Sequence, residues 1–419
     1  MQKPLVFNIN KAKVVLYPIK GVRSIEINVL VRCGNWYENQ NELGYFHFLE
    51  HMLFHGTKTM PSAEIMMEVA KENGFYTNAY TSGNSINFYL SSPDVNLDKA
   101  IEVVYDVVFN PIFPEDKIKN EIGVVTQELK SKWDQPNTRF FHEINKIIFG
   151  QNHIFTRDNI GDIRCLKQIT RQKLQKLHQK YFQPQNMVIS IVGNIKSIEK
   201  TVDKLTKSLN CHANTFKSKI TYPAIKPSLE KQFIYHDKPE QETIWLTWIT
   251  KKNGKTNRLD KISQTTFSYT IGNSVDSLLF KTFRLKYGLV YGIKSYFNSS
   301  RNYSTFEISC QIDPANHQKF FDVFDSEFKN IINQITPEKF HQTIKYTNYQ
   351  SLMCYDSVRE ISNTITNEAF RYKKIYLPED YINLSKKINY QKTIDLFKSK
   401  LTKENRYTSI MTPIKPEHK

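Results

Sequence analysis

Cysteine is scarce in this sequence and never occurs in a closely spaced pair. The five cysteines are scattered along 419 residues, and none lies in a C-x-x-C motif. This pattern excludes a disulfide-stabilised secreted domain and indicates free thiols in a reducing compartment. The sequence also lacks an apolar run approaching the roughly 18 residues of a membrane span, and it begins with neither a secretory apolar core nor an arginine-rich presequence. We therefore expect a cytoplasmic protein without a membrane span.

Acidic residues are outnumbered by basic ones. Lysine and arginine total 58 and aspartate and glutamate total 41, so the formal net charge is +17. An excess of this size is compatible with a nucleic-acid partner, but the lysines are dispersed and accompany no motif that reads nucleic acid. We expect no such partner. The hydrophobic fraction of 40% is ample for buried cores, and a chain of this length should divide into two or more domains.

The run HFLEH at residues 47–51 is the feature that points to chemistry. It has the H-x-x-E-H order found in a group of zinc peptidases. On a helix, His47 and His51 lie about one turn apart on the same face. Two neutral imidazoles there leave room for a third protein ligand and a water. Glu50 lies near the same face and is suited to take a proton from that water.

The surrounding apolar residues predict a buried helix over Gly44–Gly56, with Gly56 as its end. His55 continues the four-residue spacing of the two histidines. We expect His55 to cap the last helix carbonyls, and a role as a further metal ligand is the alternative.

A second helix is predicted over Glu115–Trp133, where apolar residues recur at helical spacing. Glu121 and Glu128 are two turns apart and share a face. We interpret Glu128 as the third zinc ligand and Glu121 as a carboxylate that orients a histidine N–H. The alternative is a solvated acidic face with lysines beside it.

Several longer stretches match one known family. They are HFLEHMLFHGT at 47–57, GFYTNAYTSGNSINFYL at 74–90, Glu121 and Glu128 at their distance from His51, FGQNHIFTRDNIGDIRCLKQIT at 149–170, YFQPQNMVISIVGNI at 181–195 and FRLKYGLVYGI at 283–293. On these stretches the chain resembles the pitrilysin family of zinc peptidases, the inverzincins, which includes insulysin and the mitochondrial processing peptidase. His55 is a departure, because relatives often carry lysine there.

The resemblance implies the composition of the metal site. One zinc ion per chain would be held by His47, His51 and Glu128. Glu50 would act as the general base, and Glu121 would support a ligand histidine.

The resemblance also implies substrate-binding residues in both halves. Arg284 and Tyr291 would bind the substrate, and Tyr291 would donate to the developing oxyanion. Asn78, Ala79 and Tyr80 would form an exposed strand that pairs with an extended peptide. The alternatives are a surface arginine, a strand tyrosine and an ordinary strand inside the sheet.

Strands are predicted over Met187–Gly193 at the end of the first half and over Val290–Asn298 in the second half. Blocks of strands followed by blocks of helices predict an α+β fold, in which helices pack on one face of an antiparallel-rich sheet. The expected domains are a zinc-binding domain over 1–210, a linker over 211–230 and a second domain over 231–419 that carries no H-x-x-E-H. The resemblance implies that the two domains are structurally similar and form a clamshell.

The function implied is that of a zinc metalloendopeptidase that cleaves peptides or small unfolded polypeptides in a closed cavity. A homodimer is expected, because Arg284 and Tyr291 are in the same chain as the zinc motif, and a heterodimer with a separate partner is the alternative. A noncatalytic scaffold on the same fold is the competing hypothesis. An intact set of zinc ligands argues against it.

Overall fold

The structure is a computed structural model. It describes residues 3–209, 216, 218–225, 232–235, 240–252, 257–274, 276–300 and 302–413. The chain divides into two compact units, here called unit 1 and unit 2. Unit 1 comprises Met1–Asp134, Asn152–Pro223 and Met353–Leu377, and unit 2 comprises Gln135–Gln151, Ala224–Leu352 and Pro378–Lys419.

The strands form one sheet in each unit. Their bounds are β1 Leu5–Ile9, β2 Ala12–Pro18, β3 Ser24–Val31, β4 Tyr76–Thr81, β5 Ile86–Pro93, β6 Met187–Gly193, β7 Gln232–Tyr235, β8 Glu242–Lys251, β9 Ile293–Ser299, β10 Tyr303–Ile312 and β11 Arg406–Thr412. The sheet of unit 1 has the order β1-β2-β6-β3-β5-β4, and the sheet of unit 2 has the order β7-β11-β8-β10-β9. Only the pairs β2 with β6 and β7 with β11 are parallel among the described strands.

The helices follow in chain order. Their bounds are α1 Tyr45–Met52, α2 Ala63–Asn73, α3 Leu97–Phe109, α4 Glu115–Trp133, α5 Pro136–Phe149, α6 Ile163–Leu166, α7 Arg171–Tyr181, α8 Ile198–Leu209, α9 Arg258–Gly272, α10 Leu278–Phe280, α11 His317–Asn333, α12 Pro337–Met353, α13 Val358–Arg371, α14 Pro378–Ser385 and α15 Tyr390–Lys400. A π-helix, Lys281–Lys286, continues α10. No helix of the described residues is both long and apolar enough to cross a membrane.

The main core of unit 1 lies between one face of its sheet and helices that include α1, α3 and α4. Ile27 and Val29 of β3 are buried there with Ile101 and Val104 of α3. Alternate β3 residues face this core because side chains of a strand alternate between its two faces. The predicted α+β class, with helices packed against an antiparallel-rich sheet, is confirmed.

One helix covers the opposite face of this sheet and comes from the other half of the sequence. Ile361 and Ile365 of α13 pack in a separate core with Val15 and Val192 of the sheet. This arrangement adds to the predicted one, because the central strands of unit 1 are apolar on both faces. Lys13 and Arg32 bond to carbonyl oxygens at the end of α13, with the Lys13 Nζ lying 2.9 Å from the Ala369 oxygen. Cations near a helix C-terminus are favourable because of the helix dipole.

The sheet of unit 2 repeats the strand arrangement of unit 1, and its described strands include no equivalent of β1. In both, the first strand of the repeat pairs in parallel with the last, and a hairpin forms the far side. Unit 2 also receives a helix from the other half of the sequence. Phe141 and Phe149 of α5 contact Trp245 and Tyr303 of its sheet.

Two predicted boundaries are wrong. The helix that carries HFLEH ends at Met52 and not at Gly56. Beyond it the backbone tightens, because the N–H of His55 bonds to the oxygen of Met52, three residues earlier. In the second half, β9 begins at Ile293 and not at Val290, since a turn closed by the bond from Leu289 N to Phe283 O precedes it. The predicted linker lies largely outside the described residues.

Candidate metal centre

The helix that carries HFLEH is held at its start by a buried carboxylate. Glu38 accepts the backbone N–H groups of Gly44 and Phe46, each at 2.9 Å. Burial raises the pKa of Glu38 to about 8, although these two N–H groups act in the opposite direction. Gly44 has φ 93°, and a Cβ there would lie 2.2 Å from the oxygen of Ile160. This close approach requires glycine at the helix start.

His47, His51 and Glu128 converge on one point. Each offers a ligand atom, and these atoms lie within 4.8 Å of one another. The Nε2 atoms of His47 and His51 are 3.6 Å and 3.5 Å from the two carboxylate oxygens of Glu128. Ligand atoms about 2.0–2.2 Å from one tetrahedral zinc ion lie about 3.3–3.6 Å apart. The donor types and their spacing therefore fit zinc.

The pKa values of the two histidines are shifted in opposite directions. Burial, together with the nearby His51, lowers the pKa of His47 to about 4, so His47 is neutral at physiological pH. Burial also acts to lower the pKa of His51, but the hydrogen bond to Glu121 and the charges of Glu50, Glu121 and Glu128 outweigh it and leave the pKa raised. A neutral imidazole presents a lone pair to a metal ion.

Glu121 of α4 bonds to two histidines at once, His51 and His55. Its Oε1 is 2.8 Å from Nδ1 of His51, and its Oε2 is 2.9 Å from Nε2 of His55. These two bonds lower the pKa of Glu121 to about 2. With Nδ1 of His51 engaged in this way, its Nε2 is left to face Glu128.

Glu50 lies beside these groups and is held by a hydroxyl group. The side chain of Glu50 is buried, and Thr81 Oγ1 at the end of β4 donates to its Oε2 at 2.6 Å. Burial raises the pKa of Glu50, and the Thr81 hydrogen bond opposes this shift. A carboxylate with a raised pKa accepts a proton more readily than an exposed one.

Comparison with known proteins identifies the family. Residues 13–157 match the model described as Insulinase (Peptidase family M16), and residues 168–346 match the model described as Peptidase M16 inactive domain. The chain is 30% identical over 292 residues to the uncharacterized zinc protease YmxG of Bacillus subtilis, which covers 69% of each chain. The chain belongs to peptidase family M16.

Other M16 proteins match over nearly the full length. An uncharacterized zinc protease of Rickettsia bellii is 26% identical over 385 residues, which is 90% of this chain and 91% of that protein. A Pseudomonas fluorescens structure titled as a peptidase M16 inactive domain has a TM-score of 0.86 at 17% identity and covers 100% of this chain and 99% of that one. The latter similarity supports the two-domain α+β fold. The family resemblance seen in the sequence is confirmed.

Within this M16 chain, the only cluster of metal-binding side chains in the described part lies in the first half. Arg284 and Tyr291 lie in unit 2. The Arg284 guanidinium is 4.4 Å from the centre of the Tyr291 ring, and Arg284 Nη1 donates to the Tyr291 carbonyl oxygen. Tyr291 is 82% exposed, and Arg284 sits in the π-helix, a form that often occurs at functional sites.

Asn78, Ala79 and Tyr80 lie on β4, one of the two edge strands of the described sheet of unit 1. The Ala79 N–H bonds to Oδ1 of Asn78 at 2.8 Å. Tyr80 is exposed, as is Asn78. Their position at an edge is compatible with pairing to a peptide, and their role in binding stays a prediction.

Two residues of the site were missed by the sequence reasoning, and one was misread. Thr81 and Glu38 touch Glu50 and the start of α1, but neither has a recognisable spacing from HFLEH. Thr81 follows directly after Asn78, Ala79 and Tyr80, so its position in the same strand was the available signal. His55 was expected to cap helix carbonyls, but its side chain bonds to Glu121 because the helix ends three residues earlier.

Proposed function

We propose that this chain is a zinc-dependent metalloendopeptidase that hydrolyses peptides or small unfolded polypeptides. One observation carries the proposal: the ligand atoms of His47, His51 and Glu128 converge within 4.8 Å beside the buried carboxylate of Glu50. The Nε2 atoms of the two imidazoles come no closer than 3.5 Å to the carboxylate oxygens of Glu128. A site built only for stability would not need to bring these three groups together without closer bonds between them.

His47, His51 and Glu128 would hold the zinc ion. When bound, zinc would acidify a water molecule and polarise the substrate carbonyl. Glu50 would take the proton of the attacking water and deliver it to the leaving amine. Thr81 would fix the orientation of Glu50 through its hydroxyl group, and Glu121 would hold His51 with Nε2 toward the site.

The substrate is proposed to bind in an extended conformation. An edge strand can add a peptide by backbone hydrogen bonds, which read the main chain more than the side chains. A peptide on β4 would compete with Asn78 for the Ala79 N–H. Arg284 would bind a carbonyl or carboxylate of the substrate, and the hydroxyl of Tyr291 would donate to the developing oxyanion.

The domain assignment and the partners also belong to this proposal. We assign zinc binding to residues 1–210, a linking role to 211–230, and the Arg284–Tyr291 pair to a non-zinc domain over 231–419. Because both sets of residues belong to one chain, we propose that it acts as a homodimer or alone, in the cytoplasm. The alternative is a heterodimer, in which this chain would be active only together with a separate partner chain.

The test is cleavage of a mixed peptide library by the purified chain. We expect products detected by mass spectrometry, their loss after treatment with a chelator, and their return after zinc is added. Purified, folded protein that binds zinc but cleaves nothing would instead support the scaffold or the heterodimer. Cleavage that survives complete removal of the metal would contradict the proposal.

A further inference from the structure

We infer that His55 is a positioning residue of the metal centre, which holds Glu121 so that Glu121 can orient the ligand His51. The inference rests on the proposed zinc site, but it does not depend on which reaction the site performs.

The first step of the argument is the burial of Glu121. Its side chain is 9% exposed, and both of its oxygens have a histidine partner, at 2.8 Å and 2.9 Å. A buried carboxylate is costly unless its oxygens are hydrogen-bonded. His55 supplies the partner for Oε2, and without it that oxygen would be left buried and unpaired.

The second step concerns the direction of the hydrogen bonds. Glu121 is an acceptor, so Nδ1–H of His51 and Nε2–H of His55 are assigned as donors. This fixes the tautomer of His51 with its lone pair on Nε2, the atom that faces Glu128 at 3.5 Å. The partner of a ligand histidine sets which of its nitrogens can bind metal.

The third step separates positioning from ligation. The cluster of possible ligands found in the described chain contains His47, His51 and Glu128 but not His55. The Nδ1 atom of His55 is buried and has no hydrogen-bond partner among the described residues, and its Nε2 is taken by Glu121. His55 therefore acts on the metal through Glu121 and His51.

The experiment measures the zinc affinity of metal-free protein by competition with a chromophoric chelator. His55→Phe removes the donor, whereas His55→Gln keeps an N–H close to the position of Nε2. Loss of a partner behind a metal ligand typically weakens metal binding about 10- to 100-fold. We expect that loss for His55→Phe, with most of the affinity restored in His55→Gln and a parallel shift in the visible spectrum of the Co²⁺-loaded protein.

A matched control is available in unit 2. His317 also pairs with a buried carboxylate, Glu242, at 2.6 Å, and its side chain is 24% exposed against 23% for His55. His317→Phe should lower the melting temperature but leave zinc affinity unchanged. If His55→Phe does not fold, His55→Leu takes its place in the same comparison.

Wild-type zinc affinity in His55→Phe or His55→Leu would overturn the inference, as would an equal loss in His55→Gln. Failure of the wild-type protein to bind zinc would instead overturn the metal centre itself. Because zinc affinity is measured without substrate, absence of peptide cleavage would leave this inference standing and would bear only on the proposed reaction.

Discussion

The two halves of the chain share a strand arrangement. They differ in the segment that carries the candidate metal ligands of the first half. Between β3 and β4 the first half places α1, with His47, Glu50 and His51. Between β8 and β9 the second half places α9, α10 and the π-helix, and the sequence from 252 to 292 contains no histidine. The strand arrangement is repeated, whereas the cluster of candidate metal ligands found in the described part of the chain lies in the first half.

The helices after each hairpin extend the comparison. In the described residues, five α-helices lie between β5 and β6, and five lie between β10 and β11. The second of the first set, α4, carries Glu121 and Glu128, whereas the second of the other set, α12, has Glu338 in its first turn as its only carboxylate. The second half therefore forms its helix at the equivalent place without carboxylates at these positions.

The largest expected effect comes from removing a ligand of the first half. Glu128→Ala leaves two imidazoles, so bound zinc measured by elemental analysis should fall from one per chain toward zero, and peptide cleavage should be lost with it. Glu338→Ala in α12 is the matched control and should keep its zinc. Full zinc content in Glu128→Ala would remove Glu128 from the ligand set.

Glu50→Gln should separate catalysis from metal binding. The amide cannot accept the proton, so kcat should fall about 10²- to 10⁴-fold, the usual contribution of a general base. Zinc content should remain that of the wild type, because Glu50 is not a ligand. A variant with near-normal turnover would exclude Glu50 as the base.

Tyr291→Phe tests whether the second half contributes to catalysis despite carrying no metal cluster. Loss of a hydrogen bond to an oxyanion should lower kcat about 10²-fold without changing zinc content. An unchanged kcat would make Tyr291 an exposed tyrosine without a catalytic role.

Mixing the Tyr291→Phe and Glu50→Gln proteins extends this test to the partner. If Tyr291 serves the zinc site of a second copy, mixed dimers regain one complete site and some activity returns. If it serves its own chain, no mixed dimer is complete. Activity that stays at the level of the two separate variants would therefore argue against a shared site.

Thr81→Val should have a smaller effect, because it leaves all the proposed catalytic groups present. A hydrogen bond to a charged group is worth about 1.5–3 kcal/mol, and its loss from Glu50 should lower kcat about 10- to 160-fold at unchanged KM. Thr81→Ser keeps the hydroxyl and should recover the rate. Thr77→Val, on the same face of β4, is the control, and an equal loss there would show that the strand and not the hydroxyl matters.

The sequence allowed two parts of the candidate site to be predicted. They are the face of α1 that carries His47 and His51, and the distant carboxylate Glu128 on α4. The H-x-x-E-H order, the two-turn spacing of Glu121 and Glu128, and the family resemblance together led to three groups that the structure brings within 4.8 Å of one another. The helix Glu115–Trp133 and the strand Met187–Gly193 were also predicted with the bounds observed. These elements have strong apolar patterns, which define both their type and their ends.

Other features could not be predicted because they depend on contacts between distant segments. Glu38 caps α1 only because the loop before it folds back onto the helix start. Helix α5 of the first half of the sequence belongs to unit 2, and α13 of the second half belongs to unit 1. Neither assignment leaves a local signal, since both helices have ordinary amphipathic sequences. The π-helix at Lys281–Lys286 likewise gives no pattern distinct from that of an α-helix.

The smallest expected effect concerns a buried carboxylate in each sheet, on the face covered by a helix from the other half of the sequence. That helix is α13 in unit 1 and α5 in unit 2. In unit 1, Glu26 is buried on β3, its Oε1 has no hydrogen-bond partner among the described residues, and Arg359 Nε of α13 is 3.6 Å away. In unit 2, Glu307 accepts from Thr305 Oγ1 at 2.6 Å and from Asn298 Nδ2 at 3.4 Å. Burial raises the pKa of both carboxyl groups, and neutral donors oppose this shift, namely Ser91 at Glu26 and Thr305 and Asn298 at Glu307.

Glu26→Gln should therefore stabilise the protein at high pH. The folded-state pKa of Glu26 lies above its ordinary 4.5, so its stabilising contribution is complete below that pH and is lost as the pH rises through the folded-state value. The variant should melt about 2 °C above the wild type at pH 8, and the difference should shrink toward pH 5. Glu307→Leu should be destabilising at both pH values, because Thr305 and Asn298 lose their acceptor. A lower melting temperature for Glu26→Gln at pH 8 would mean that the ionised Glu26 holds α13 in place through Arg359.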